Sequence, residues 1–333
     1  MTTSNQLRLD PLTGRWVAVS VSRADRPSAF QPRTAVSSQS EGSTCPFCPE
    51  HEDKTPPALE SYGPSGNWLV RVLPNLYPAF DGDEPFVVSH LGPVFTEAPA
   101  SGIHEVLILS PDHYKDWGSI SAEHSGLVMA AIRDRIDEHA ATPGLRYSQA
   151  IVNHGREAGA SLDHPHAQLL GVPFVPRELA DEQAGFARFA GGCLLCTAIG
   201  AEERIGYRVI SASDNSLTIC PFWSGTPYEI LIIPRTHGSH LNTTNPRDVA
   251  GVGRAVREAI IRLESLLGQI SYNIVFHSAP YRSSGTFHWH VHIIPKLTTR
   301  AGFELGTGVM INIVSPETAS IHLRDAKLNP ELI

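Results

Sequence analysis

The apolar positions of this chain alternate between two periods. Short runs of aliphatic and β-branched residues read as strands. Leu7 and Leu9, then Trp16-Val17-Ala18-Val19, give a strand, a Pro11-Leu12-Thr13-Gly14 turn and a second strand. Residues 67–80 begin strand-like and close on Pro74-Asn75-Leu76-Tyr77-Pro78, and Glu105-Val106-Leu107-Ile108-Leu109-Ser110 reads as a buried strand. Residues 121–139 follow with helical spacing, and 149–152 and 168–172 return to strand. A second helix has sharper ends: Asn245 as N-cap, Pro246 at the first position and Asp248 in the first turn. Its apolar stripe runs Val249, Val252, Val256, Ile260, Leu263, Leu267. Residues 28–44, rich in Ser, Gln and Pro, read as a surface loop.

The order of these pieces occurs twice. Cys45-Pro-Phe-Cys48 is echoed by Cys193-Leu-Leu-Cys196, and the strand from Glu105 to His113 by the strand from Glu229 to His237. A helix follows each time, then a strand and a histidine cluster: His164-Pro165-His166 against His288-Trp289-His290-Val291-His292. His113 to His164 spans 51 positions, and His237 to His288 spans 51 as well. Matched spacings of this kind mark an internal duplication, two copies of one α+β unit fused near residue 180.

Composition narrows the setting. A chain of 333 residues has room for two such units, and a net charge of -8 without a basic block argues against nucleic acid or an anionic membrane as partner. The first ten residues have no apolar core and no run approaches membrane-helix length, so a cytoplasmic protein is expected. In a reducing compartment, paired Cys-x-x-Cys means metal or redox chemistry rather than a disulfide. The repeated histidine partners favour metal. They define Cys45, Cys48, His113, His164 in the first copy and Cys193, Cys196, His237, His288 in the second. Two thiolates and two imidazoles suit tetrahedral Zn²⁺, and four protein ligands make each site structural. His288, His290 and His292 alternate along one predicted strand and so share a face. With His288 assigned to zinc, His290 and His292, together with His277 and Glu182, are candidates for a further cation or for the lining of a polar cleft.

The stretch from Asn153 to Gln168 concentrates the remaining chemistry. Its small residues, Gly155 and Gly159-Ala160-Ser161, let backbone N–H groups approach an anion. If His164 binds metal, His166 is held two residues on past a Pro, free to attack phosphorus. The alternative is that His166 only supports the metal site. Ser161 and Gln168 are candidate donors to phosphoryl oxygens, and Arg23 and Arg26 to a second phosphate. The second copy lacks both the Gly-Ala-Ser loop and the trailing Gln, so one reactive centre per chain is expected.

These residues resemble the galactose-1-phosphate uridylyltransferase branch of the histidine-triad superfamily. The matching pieces include Asp10-Pro-Leu-Thr-Gly14, Arg23-Ala-Asp-Arg26-Pro27, Cys45-Pro-Phe-Cys48, Asn75, Ser110-Pro-Asp-His113, Asn153, Gly159-Ala-Ser161, His164-Pro-His166-Ala-Gln168 and Ala301-Gly-Phe-Glu304. The resemblance implies antiparallel sheets with helices packed on one face. Residues 1–180 would form the catalytic unit, and 181–333 a structural and metal-binding unit that completes a dimer site. It implies ping-pong transfer between a nucleotide sugar and a sugar 1-phosphate through a nucleotidylated His166. Gln168 and Ser161 would meet the phosphate, with Asn75 and Asn153 near the nucleotide. It also implies a homodimer in which the partner's segment around Phe303-Glu304 completes the site. A further iron or zinc would sit on Glu182, His277, His290 and His292. The second Cys-x-x-Cys resembles the related ADP-glucose phosphorylases, so a phosphorylase that uses inorganic phosphate as acceptor is the competing expectation.

Overall fold

The computed structural model describes residues 4–25 and 44–328. Arg26 and most of the 28–44 loop lie outside the described residues. A small sheet comes first: β1 (Gln6–Leu9) pairs antiparallel with β2 (Trp16–Val19), the strand pair expected from the leading apolar runs. The first half continues with β3 (Glu60–Tyr62), β4 (Val70–Pro74), the short hairpin β5 (Ser89–His90) and β6 (Thr96–Glu97), and β7 (Ile103–Ile108). Then come α1 (Ala122–Ala141), β8 (Tyr147–His154) and β9 (His166–Val172). Ser121 caps α1 by accepting the His124 N–H.

Two helices, α2 (Arg177–Arg188) and α3 (Leu194–Ile205), lead into the second half. There β10 (Val209–Ala212), β11 (Ser216–Ile219), β12 (Ile230–Pro234), α4 (Pro246–Leu267), β13 (Tyr272–His277) and β14 (His290–Pro295) repeat the order of the first. Asn245 caps α4 by accepting the Asp248 N–H, with Pro246 in the first turn, as its sequence dictates. The chain closes with α5 (Gly302–Thr307), β15 (Met310–Asn312) and α6 (Pro316–Arg324). β15 adds to β2 in parallel and completes the small sheet.

The main sheet has ten strands in the order β10-β11-β12-β14-β13-β8-β9-β7-β4-β3, all neighbours antiparallel. Read outward from its centre, the order is the same in both directions. The halves therefore join as one sheet, sealed where Asn273 of β13 pairs with Asn153 of β8.

Strand alternation sends Ile230, Ile232, Val152 and Leu169 to one face, where α1 and α4 pack with Val249, Val252, Val256, Ile260 and Leu263 buried. The same alternation turns Leu231, Ile233, Leu217 and Ile219 to the opposite face, where α2 and α3 cover them through Leu179, Phe186, Leu195 and Ile199. The two repeated helices thus share one face, and the linking helices cover the other. No separate signal in the sequence marks that second layer, because apolar residues on successive strand positions read simply as buried. Over the first half this opposite face carries the Cys45-to-Cys48 knuckle, through Phe47, Leu73, Val106 and Ile108.

Candidate active site

In the first half the knuckle converges with His113, in the turn that follows β7, and with His164, two positions before β9. Cys48 Sγ lies 3.4 Å from His113 Nδ1 and 3.6 Å from His164 Nδ1, and Cys45 Sγ lies 3.7 Å from His164 Nδ1. A tetrahedral ion with bonds of about 2.3 Å to sulfur and 2.0–2.1 Å to nitrogen would place S and N about 3.6 Å apart. His164 Nε2 donates to the Ser110 carbonyl at 2.8 Å, which leaves the Nδ1 lone pair facing the sulfurs. Burial and the neighbouring Cys45 push the Cys48 thiol up to about 11, so a bound cation is what would hold this pair ionised.

The second half repeats the arrangement. Cys193 and Cys196 Sγ both stand 3.5 Å from His288 Nδ1, and Cys196 Sγ 3.6 Å from His237 Nδ1. His288 Nε2 donates to Pro234 O at 2.9 Å. The four donors of each group lie within 4.8 Å of one another. Both groups could hold a metal ion, with the residues expected.

Glu182, His277, His290 and His292 also come together. His277 Nδ1 is 2.7 Å from Glu182 Oε1. Glu182 Oε2, His290 Nε2 and His292 Nε2 are buried and have no hydrogen-bond partner. Three orphaned buried donor atoms in one cluster fit a cation better than they fit a polar cleft lining. β14 starts at His290, so the strand alternation expected for three histidines holds only for His290 and His292; His288 precedes the strand and turns to the cysteines.

A fourth group, Asp116, His154 and Glu264, had no motif to announce it. Burial, then the charge and hydrogen bond of Asp116, push Glu264 up to about 9. Glu264 therefore holds its proton at neutral pH beside Asp116, which accepts from the Tyr272 hydroxyl at 3.2 Å.

His166 opens β9, and the residue is 5% exposed. Its Nδ1 donates to the His164 carbonyl at 2.8 Å, so the neutral ring carries its lone pair on Nε2. Phe47 of the knuckle packs edge-on against the ring at 5.5 Å between centroids, a contact sequence reasoning missed. Burial lowers the His166 pKa below the ordinary imidazole value, and the bond to His164 pulls it partly back. The ring lines a cavity of about 360 Å³ with Ser161, Gln168, Asn75, Tyr77 and His104.

Asn153 lines a smaller cleft that shares His166 and Leu162 with this cavity. Its Oδ1 accepts from Asn273 Nδ2 at 2.7 Å, leaving the Asn153 amino group as a donor. Asn273 also donates to Ala158 O at 2.8 Å and so ties down the loop before Gly159 and Ala160. Gly155 begins that loop at φ +79, and a Cβ there would strike Ser271. Arg23 and Glu304 line a different cavity of about 850 Å³, with Glu157, Thr298 and Thr299. Phe303 is 54% exposed on α5. The chain does not bring Arg23, Phe303 or Glu304 to the His166 cavity.

A ten-stranded sheet built from two mirrored halves, each with its own Cys₂His₂ group and with a His-Pro-His turn in the first, defines a duplicated α+β class of fold. The family described as "Galactose-1-phosphate uridyl transferase, N-terminal domain" matches residues 1–176, and a second, a domain of unknown function (DUF4921), matches residues 104–328. The chain belongs to the galactose-1-phosphate uridylyltransferase family. It is 31% identical to ADP-glucose phosphorylase of Arabidopsis thaliana, over 98% of this chain and 94% of that protein. It is 27% identical to galactose-1-phosphate uridylyltransferase of Thermotoga maritima, over 97% and 99%. Among solved structures, the A. thaliana ADP-glucose phosphorylase with bound ADP-glucose superposes with a TM-score of 0.84 at 30% identity, over 98% of this chain and all of that one. A uridylyltransferase structure gives 0.74 at 25% identity, over 97% and 98%. Among the described residues no helix is long and apolar enough to cross a membrane.

Proposed function

We propose that this protein is a nucleotidyltransferase of the UDP-glucose–hexose-1-phosphate uridylyltransferase type, working through a nucleotidyl-His166 intermediate. The observation that carries the reading is the His166–His164 carbonyl bond, which presents a neutral Nε2 lone pair at a cavity lined by Ser161 and Gln168. Nε2 attacks the α-phosphorus of a nucleoside-diphosphate sugar. The bond from that phosphorus to the bridging oxygen breaks, and sugar 1-phosphate leaves with the electron pair. The imidazolium that results keeps its Nδ1–H on the His164 carbonyl. A phosphate oxygen of the second sugar 1-phosphate then attacks the same phosphorus, and the P–N bond returns its electrons to His166. Ser161, Gln168 and the loop N–H groups donate to the phosphoryl oxygens, where charge concentrates.

The two Cys₂His₂ groups hold Zn²⁺ in this reading, because a closed S₂N₂ donor set suits that ion. Bound there, zinc fixes the knuckle and His164, and through His164 the carbonyl that orients His166. Glu182, His277, His290 and His292 hold a further iron or zinc. Residues 1–180 form the catalytic unit and 181–333 the metal-binding partner unit, a division supported by the mirrored strand order. The chain works as a homodimer in the cytoplasm. Arg23 and Glu304 share one cavity wall away from His166, so a second copy is what would carry them, with Phe303, to the site.

One observation favours a second acceptor. The 31% identical relative is named an ADP-glucose phosphorylase, which supports inorganic phosphate as acceptor and an adenylyl group on His166. Incubation with UDP-glucose plus galactose 1-phosphate, and separately with ADP-glucose plus phosphate, distinguishes these by product. UDP-galactose supports the first reading and ADP the second; neither product would overturn both.

A further inference from the structure

The cavity at His166 contains a second histidine that neither the motif nor the mechanism above uses. His104 stands on β7, and its Nδ1 lies 3.1 Å from the main-chain N–H of Ala79. A main-chain N–H can only donate, so Nδ1 accepts and the neutral ring carries its proton on Nε2. Nε2 lies 3.0 Å from Gln168 Oε1 and therefore donates to it. Asn75 Nδ2 lies 3.1 Å from the same Nε2, but Asn75 Oδ1 accepts the Tyr77 N–H at 2.9 Å, so Nδ2 is a donor too. Two donors cannot pair, and the Asn75 amino group is left for the cavity. Two main-chain N–H groups thus set the polarity of three side chains. Both amide oxygens are taken by protein donors, and the amino ends of Gln168 and Asn75 remain for a ligand rich in acceptor oxygens.

We propose that His104 is a positioning residue for group transfer at His166. Its tautomer, set by Ala79, keeps the amino end of Gln168 turned to the phosphoryl group and its oxygen turned away. An amide free to rotate would present oxygen to phosphoryl oxygen part of the time, and that arrangement repels. The inference rests on the proposed nucleotidyl transfer, which supplies the anion that Gln168 meets.

The test is single-turnover labelling of His166 in the full-length, metal-loaded protein, using UDP-glucose and ADP-glucose as probes. If wild-type protein forms no adduct with either, the proposed function fails rather than this inference. With an adduct in hand, His104→Glu replaces a donor by an acceptor and turns the Gln168 amide over. Labelling should slow by about 100-fold, in the range seen when one donor to a developing oxyanion is lost. His104→Gln keeps a side-chain N–H and should stay within about tenfold of wild type. His104→Glu on a Gln168→Ala background should cost little more than Gln168→Ala alone, because His104 acts through that amide. Additive losses in that cycle would overturn the proposal. Should His104→Glu not fold, His104→Ala takes its place, and equal rates for Ala and Gln at position 104 would overturn it as well.

Discussion

His166 donates its Nδ1–H to the carbonyl oxygen of His164 at 2.8 Å, and His290 makes the same bond to His288 at 2.8 Å. The duplicated strand thus builds two imidazoles with Nε2 left free. They differ in what surrounds them. His166 meets a cavity with Ser161 and Gln168, whereas His290 meets Glu182, His277 and His292 and is pushed down to about 3, chiefly by burial. One copy turns its nitrogen to a cavity and the other is set among metal-type donors.

Because burial holds His166 below the ordinary imidazole value, its neutral form persists into mildly acidic solution. The rate of His166 labelling should fall in acid with a midpoint below the ordinary imidazole value of about 6.5. Rapid-quench labelling across pH 5–8 measures this. A midpoint above 7 would contradict it.

The two Cys₂His₂ groups should part company under mutation. Cys48→Ser should lose one metal ion per chain and most activity, because the same group anchors His164, whose carbonyl holds His166. Cys193→Ser should also lose one ion yet keep activity within about tenfold, since none of the second group's ligands lines the His166 cavity. Metal analysis beside turnover of the two variants decides this. His237 is exposed while His113 is buried, so a chelator should strip the second group first.

Asn273 belongs to the second half but holds Asn153 and Ala158 of the first. Asn273→Ala removes two hydrogen bonds, each worth about 1 kcal/mol. Turnover should drop about tenfold, with a smaller change in KM, since the loss falls on the loop that meets the phosphoryl group. Unchanged kcat would show that the seam between halves only glues them together.

Glu264 gives the stability a pH signature. Its carboxyl is raised to about 9 from an ordinary 4.5, so folding binds a proton there. That contribution is complete below about pH 4.5 and is lost as pH rises through 9. Glu264→Gln keeps a neutral side chain beside Asp116 at every pH. It should therefore raise the melting temperature at pH 8–9 by about 2–4 °C, leave it little changed at pH 5, and flatten the alkaline decline. Melting curves across that range check it.

Much of the site was legible because metal ligands and cap residues are spelled by type and spacing. The 51-residue interval fixed the two Cys₂His₂ groups, and Asn245-Pro246 fixed the start of α4. His104 and Asn273 were not legible. Each is a lone polar residue in a strand, and its meaning depends on which strand lies beside it. Asp116, His154 and Glu264 come from three separate elements and share no period. Arg23 and Glu304 were legible by motif, but the chain sets them on a cavity wall of their own.

The proposed function stands on a covalent nucleotide on His166. Intact-mass measurement after mixing the protein with UDP-glucose, and separately with ADP-glucose, tests it most directly. A gain of one nucleoside monophosphate is expected, mapped to His166 and cleared by added sugar 1-phosphate or phosphate. No gain is expected in His166→Gly, whose metal content and melting temperature stay near those of wild type. Undiminished turnover in His166→Gly, or an adduct mapped to another residue, would contradict it.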